Sequence, residues 1–336
     1  MAYVTIRDVA REAGVSVAAV SQILHDKGRF SDETRKLVRD TVESMGYVPD
    51  QRARSMRSSE TKTVGLLVPD LRNPYFADLV SSMEDGLYRR GFTTLIGSSG
   101  ESVERQDSFI ENLLGQRIDG AIVVPQGVDS PGVESLVRRG LPLVFVDRRV
   151  PSVDSVPFVV SDPYPGIRSA VAELMRLGHR RIGYVSHPAL GSFSVNEREV
   201  AFRAITGELL ADGETTVVNC DATYESRQRA LDELAESGMS AVVFAYSPDA
   251  ITMLGLMTDR GLEVGADMSV VSFDDIAAFT MMTPSVSVIS QQAETMGRQG
   301  VELLMRQLAG DGEAVAGTQY VPTVFIARKS SSALCR

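Results

Sequence analysis

The run T-I-R-D-V-A-R-E-A-G-V-S-V-A-A-V-S, from Thr5 to Ser21, constrains this chain more than any other feature. Its small and apolar positions, Val9, Ala10, Ala13, Val15, Val20 and Ile23, recur where two short helices would touch across a turn. Ala10 is small enough for a close crossing, and Gly14 stands where a left-handed backbone would strain any other residue. Thr5, with Asp8 three residues on, can cap the first helix, and Ser16 can cap the second. A third helix is predicted from about Ser31 to Met45. This is helix–turn–helix spacing, and its second helix is a candidate for the major groove of DNA.

At 336 residues, 43% of them hydrophobic, the chain has room for a small head and a large globular core. It has no run of eighteen apolar residues and no signal-type apolar segment near its start, so a cytoplasmic protein is expected. Cys220 and Cys335 form no C-x-x-C pair, which predicts free thiols and no disulfide framework. The net charge of −10 looks wrong for a nucleic-acid binder, but its distribution matters more. Residues 1–62 carry 11 Lys/Arg and 9 Asp/Glu, while the remainder carries 23 and 35. A mildly basic head on an acidic body can meet phosphate with one end and repel it with the other.

Residues 1–46 read as the three-helix head and 47–62 as an Arg- and Ser-rich linker, with Pro49 suited to a first helical turn. From residue 63 to 336 the texture is alternating strand and helix. V-G-L-L-V (64–68) is a buried parallel-strand signature. Helices are predicted over 74–90, 103–116, 131–139, 163–177, 196–210, 225–237, 248–260 and 291–308. Strands are predicted over 93–97, 121–125, 143–147, 157–161, 181–185, 217–219, 241–245 and 269–273. So many βαβ units predict an α/β core of two doubly wound lobes. Ligands bind beyond the carboxyl ends of such strands. Those ends carry Asp70 to Phe76, Asp147–Arg148, His187 to Arg198, Tyr246–Ser247 and Asp274–Asp275.

Several segments resemble the lactose/galactose-repressor family of bacterial transcription regulators. They are I-R-D-V-A-R-E-A-G-V-S (6–16), S-D-E-T-R (31–35), G-Y-V-P-D-Q-R-A-R (46–54), V-G-L-L-V-P-D-L-R-N-P-Y-F (64–76), L-G-H-R-R-I (177–182), R-E-V-A-F (198–202), G-A-D-M-S-V-V-S-F-D-D (265–275) and P-T-V-F-I-A-R-K-S (322–330). The core is also similar to periplasmic sugar-binding proteins. The resemblance implies two lobes joined by crossing strands with an effector between them, and a homodimer whose heads read a palindromic operator. It also implies a linker helix that wedges an apolar side chain into the minor groove. That wedge falls on Met56, where the family usually has Leu; Asp50 replaces the usual Asn.

Carried onto this sequence, the base contacts fall on Val17, Ala18 and Gln22. Val17 and Ala18 can only pack on a thymine methyl, whereas Gln22 can pair with adenine. Thr5, Ser16, Ser21 and Arg29 suit phosphate contacts, and Ala53, Arg54 and Met56 suit the minor groove. The effector residues are Asn73, Tyr75, Phe76, Asp147, Arg148, Arg198, Tyr246, Asp274 and Gln291. Carboxylates and guanidinium groups pair with hydroxyls and aromatic faces stack on rings, so a sugar or nucleoside is expected. Tyr246–Ser247 stands where the family usually has Asn-Asp, and Ala201 where it has Gly. These departures leave a pentose, a nucleoside or a modified sugar open. No H-E-x-x-H, G-x-S-x-G or P-loop is present, so neither an enzyme nor a metal or cofactor is expected. A repressor released by its effector is the expected function. No heptad run follows the last motif, and a dimer is the expected state.

Overall fold

The computed structural model describes residues 4–48, 60–190, 192–310 and 317–334. They fall into two compact units, Met1–Thr61 and Lys62–Arg336. Among the described residues, no helix is long and apolar enough to cross a membrane.

The described residues of the first unit hold three helices: α1 (Ile6–Glu12), α2 (Val17–Leu24) and α3 (Asp32–Ser44). Val9, Ala10, Ala13, Val20, Ile23 and Val38 bury together between them. Gly14 sits at φ 65° in the α1–α2 turn, and open space surrounds its α-carbon. The backbone angle alone therefore demands glycine there. Ser16 caps α2 by accepting the Ala19 N–H at 3.1 Å. At α1 the Asp8 carboxylate reaches back to accept the Thr5 N–H (3.0 Å) and hydroxyl (2.7 Å).

The second unit has two lobes with one repeated topology. In the first, β1 (Thr63–Val68), β2 (Thr93–Ser98), β3 (Gly120–Val123), β4 (Leu143–Val146), β5 (Phe158–Asp162) and β11 (Thr318–Pro322) form one parallel sheet. Its order is β2-β1-β3-β4-β5-β11. The helices α4 (Pro74–Tyr88), α5 (Val103–Gly115), α6 (Pro131–Arg138) and α12 (Ala293–Leu308) belong to this lobe. Val64, Leu66 and Val68 pack toward α4 and α12, while Leu67 joins the core on the opposite face with α5 and α6. This division follows from the two-residue period of a strand.

In the second lobe, β6 (Arg181–Ser186), β7 (Glu214–Asn219), β8 (Ala241–Phe244), β9 (Ser269–Phe273), β10 (Ser287–Ser290) and β12 (Val324–Ile326) repeat the order as β7-β6-β8-β9-β10-β12. Among the described strands of this lobe, β12 alone runs antiparallel to its neighbour. The helices α7 (Tyr164–Arg176), α8 (Phe193–Leu209), α9 (Tyr224–Glu236), α10 (Ser247–Asp259) and the short α11 (Ala277–Met281) complete the lobe.

The chain crosses between lobes three times: from Asp162 to Tyr164, from Ser290 to Ala293, and from Pro322 to Val324. Thr323 ties two crossings together, since its hydroxyl donates to the Asp162 carbonyl (2.8 Å) and accepts the Gly166 N–H (3.0 Å). A side chain at position 166 would collide with Thr323 and Ile289, so glycine is needed for this approach. In each sheet the strand order reverses direction around the first strand, leaving crevices at the carboxyl ends of β1/β3 and β6/β8.

The predicted helices and strands lie within a few residues of those observed. β10, β11, β12 and α11 are not among the predicted elements, and β7 starts three residues before its predicted start.

Candidate functional site

In the head, Val17, Ala18 and Gln22 are exposed on α2, and Ser21 is half-buried on the same face. Val20 and Ile23 face the core instead. Ser16, Arg29 and Thr5 are exposed as well. All the head positions proposed for DNA contact are therefore on the solvent side. The Gln22 side chain lies close to Gly28, where an added Cβ would come 2.7 Å from its Oε1. Ala53, Arg54 and Met56 lie outside the described residues.

In the core, the effector candidates gather where the strand ends of the two lobes face each other. Asp147 follows β4 and Asp274 follows β9, at equivalent places in the two lobes. Both adopt left-handed backbone angles, φ 63° and 69°. Each N–H donates to the next strand, to the Val159 carbonyl (2.8 Å) and the Ile289 carbonyl (3.0 Å). A non-glycine residue held this way costs about 1–3 kcal/mol, a strain that clusters at functional sites.

Around Asp147, the Tyr75 hydroxyl donates to its Oδ1 at 3.0 Å. Burial raises the Asp147 carboxyl above its usual range, against the pull of Arg198 and then Arg148. Burial also drives the Tyr75 hydroxyl well up, with the charges of Asp147 and Asp274 adding to it. Asp147 and Tyr75 from one lobe thus feel Arg198 and Asp274 from the other, which brings the three charged groups into one field.

Arg198 is buried, donates from one terminal nitrogen to the Ala245 carbonyl at 2.5 Å, and lies 4.4 Å from the centre of the Phe273 ring. Asp274 accepts from Ser247 Oγ (2.7 Å) and from Gln291 Nε2 (2.6 Å). Gln291 Oε1 in turn accepts from Ser161 Oγ at 2.7 Å. Since Gln291 occupies a crossing segment and Ser161 ends β5, a continuous polar chain links Asp274 to the hinge between lobes.

Two candidates sit differently from a free ligand contact. The Arg148 guanidinium is forked onto Glu101 at 2.7 and 3.0 Å, and its buried Nε makes no hydrogen bond but lies 3.9 Å from Asp147 Oδ2. Asn73 spends its Oδ1 capping α4 through the Tyr75 N–H (3.1 Å), and its side-chain amide also reaches the Tyr246 hydroxyl. Arg198 Nε is buried without a hydrogen-bond partner. The two buried guanidinium N–H groups that make no hydrogen bond, on Arg148 and Arg198, are costly, at about 1–3 kcal/mol each, unless a ligand supplies acceptors. Phe76 packs edge-on to Tyr75 with ring centres 5.0 Å apart, under the Arg148 guanidinium. Phe76 is thus a supporting wall rather than an open stacking face. Burial, with Glu101 second, pushes the Tyr246 hydroxyl up to about 12.

Glu101, which takes the fork of Arg148, is not among the residues expected from sequence. Nor is the lobe-bridging Arg149, whose guanidinium lies between Phe158 of one lobe (5.7 Å) and Phe193 of the other (5.4 Å). Neither residue sits in a motif; their roles arise from the packing of distant segments. A third omission is a buried cluster of His187, Cys220, Arg227 and Asp249 at the carboxyl ends of β6, β7 and β8, beside Tyr246.

Asp147 carries a pH prediction. Its folded-state carboxyl holds a proton more tightly than the unfolded one does. Its contribution to stability is therefore fully present below about pH 3.8 and is lost as pH rises through the raised folded value. Asp147→Asn is expected to raise the Tm of the ligand-free chain at pH 7, with the gain vanishing below about pH 3.8. Thermal melts across pH check this; a lower Tm at pH 7 would mean the carboxylate is held for stability.

Comparison with known proteins agrees with this architecture. Residues 5–50 match the profile of bacterial regulatory proteins, lacI family, and residues 171–331 match a periplasmic binding protein-like domain. The chain is 30% identical to catabolite control protein A of Priestia megaterium over 308 residues, 91% of this chain and 92% of that one. It is 29% identical to the ribose operon repressor of Bacillus subtilis (strain 168) over 332 residues, 97% and 98% of the two chains. The crystal structure of the lac repressor dimer bound to operator and the anti-inducer ONPF shares its fold, with a TM-score of 0.84 at 24% identity over 99% of this chain and all of that one. The chain belongs to the lacI family of bacterial regulatory proteins and is a ligand-responsive, DNA-binding transcriptional regulator rather than an enzyme.

Proposed function

We propose that this regulator is a cytoplasmic repressor whose homodimer holds a palindromic operator until a pentose or nucleoside fills the cleft between its lobes. The observation that carries the reading is the meeting of Asp147, Arg198 and Asp274 from two lobes beside two buried guanidinium N–H groups, of Arg148 and Arg198, that make no hydrogen bond. Carboxylates accept the hydroxyls of a polyol, and the donors of Asn73, Arg148 and Arg198 meet its oxygens. Tyr75, Tyr246 and Phe76 form the apolar walls, and Gln291 passes the state of Asp274 to the hinge. A ligand moves the lobes only by its differential affinity for two arrangements, so groups shared between lobes are the ones that matter. Calorimetry with ribose, other pentoses and nucleosides is the test. Binding of one of them, at one site per chain, is the expected result, and no binding by any of them would remove this assignment of the cleft.

The division of labour follows the domains proposed from sequence: residues 1–46 as head, 47–62 as linker and 63–336 as core. Val17, Ala18 and Gln22 face base edges, and Thr5, Ser16, Ser21 and Arg29 hold phosphates. Ala53, Arg54 and Met56 follow into the minor groove. Met56 is proposed as the wedge because an unstacked base step needs an apolar filler, and an unbranched Met can supply it. Met56→Gly is then expected to reduce operator bending in a circular-permutation band shift and to weaken binding. Unchanged bending would show that the wedge lies elsewhere.

A further inference from the structure

Asp249, the third residue of α10, is the hub of a buried polar cluster that the effector reading does not use. His187 Nδ1 lies 2.7 Å from its Oδ2, and Cys220 Sγ lies 3.2 Å from the same oxygen. Arg227 holds the other oxygen, Oδ1, at 2.8 Å from both Nε and a terminal nitrogen. His187, Cys220 and Asp249 are each at least 96% buried. They come from three strand ends of one lobe, around the crevice where its strand order reverses, which is where open α/β sheets place ligands.

We propose that His187, Cys220 and Asp249 form a binding site for one borderline-soft divalent cation, zinc in preference to magnesium or calcium. Imidazole, thiolate and carboxylate are the three donor types that zinc accepts, and three protein ligands leave a fourth tetrahedral position open. A thiolate disfavours the hard, oxygen-seeking cations. One nitrogen, one sulfur and one oxygen of the three residues lie within 4.8 Å of one another. Metal–ligand bonds of about 2.0–2.3 Å place tetrahedral ligand atoms roughly 3.3–3.8 Å apart, so shifts of under about 1 Å complete the site.

The chemistry balances without another reactant. With Asp249 ionised, the cation-free cluster has two protons directed at Oδ2, one from the imidazole Nδ1 and one from the thiol. The cation takes their place. Cys220 releases its proton to solvent and becomes the thiolate ligand. His187 keeps a single proton but carries it on Nε2, which frees the Nδ1 lone pair for the metal. Asp249 binds through Oδ2 while Arg227 stays on Oδ1, in the place where a partner outside the ligand set fixes a coordinating carboxylate. His187 packs edge-on to Tyr246 with ring centres 5.3 Å apart, so a bound ion would stiffen one wall of the cleft.

The test is a titration of the full metal-free chain with Co2+ as the spectroscopic probe, followed by competition with Zn2+. One Co2+ per chain, a sulfur-to-cobalt charge-transfer band, its displacement by Zn2+ and a zinc-dependent rise in Tm are expected. Cys220→Ser should lose the band and the Tm response while keeping the far-ultraviolet circular dichroism of the parent. Cys335→Ser should behave like the parent, which separates the two thiols. If Cys220→Ser fails to fold, His187→Gln is read instead. Its amide can still donate to Asp249, and it should bind Co2+ at least tenfold more weakly. A folded parent with no charge-transfer band, a band that survives Cys220→Ser, a band lost with Cys335→Ser, or undiminished Co2+ affinity in His187→Gln would each overturn the site.

Discussion

Asp274→Asn is expected to uncouple the repressor from its effector, lowering effector affinity by about 10²-fold or more while operator affinity without effector stays within about twofold. Asp274 is nearly fully buried, and its two oxygens accept from Ser247 and Gln291. Asparagine can keep both internal partners. Its oxygen can face Gln291 Nε2, and its amide can donate to the Ser247 hydroxyl, which rotates to accept. What disappears is the charge that strengthens bonds from ligand hydroxyls. Charge-assisted hydrogen bonds contribute about 1.5–3 kcal/mol each, so two of them account for an affinity loss of that order. Asp274→Ala is the less informative substitution, because it leaves two buried donors orphaned at about 1–3 kcal/mol each and destabilises the lobe as well. Calorimetry on parent and Asp274→Asn, with operator binding measured alongside, separates the effects. Parent-like effector affinity in Asp274→Asn would remove this residue from the site.

The second large effect is expected in the head. Gln22→Ala should cost about 1–3 kcal/mol at one operator position and relax base preference there. Arg29→Ala should weaken every sequence alike and reduce the salt dependence by about one counterion. Both residues are exposed, but only Gln22 lies on the face of α2 that carries Val17 and Ala18. The competing role for Gln22 is local, since its side chain packs against Gly28 in the turn after α2. If it serves that turn alone, the loss will be equal at all operator variants. A panel of single-base operator substitutions, measured against both mutants, distinguishes the two roles.

The alternation of buried strands with helices was legible because the parallel strands are short apolar runs, as V-G-L-L-V in β1 and A-V-V-F in β8 show. Two of the strands that were missed, β10 and β11, lack that signature. β10 sits in S-V-S-V-I-S, where serine alternates with valine or isoleucine, and β11, T-Q-Y-V-P, is an edge strand with Tyr320 68% exposed. The start of β7 is predicted three residues late because its first residues, Glu214 and Thr215, are exposed on an edge and carry no apolar signal. The cleft was legible to the extent that strand ends could be located. The partners of its residues were not, because Glu101 meets Arg148 across 47 residues and Ser161 meets Gln291 across 130. The His187–Asp249 contact spans 62 residues, and no local spacing announces it.

As a repressor released by its effector, one chain is expected both to read a DNA sequence and to let it go when a small ligand binds. The most direct measurement is fluorescence anisotropy of a labelled palindromic duplex taken from the DNA upstream of its own coding sequence, beside a scrambled duplex of equal length. Titrations run at fixed salt, with and without the effector found by calorimetry. Affinity for the palindrome is expected to lie at least about 10³-fold above that for the scrambled duplex, in the range of specific recognition, with most of that preference lost when the effector is added. Equal affinity for the two duplexes, or a palindrome affinity that no cleft ligand changes, would contradict this expectation.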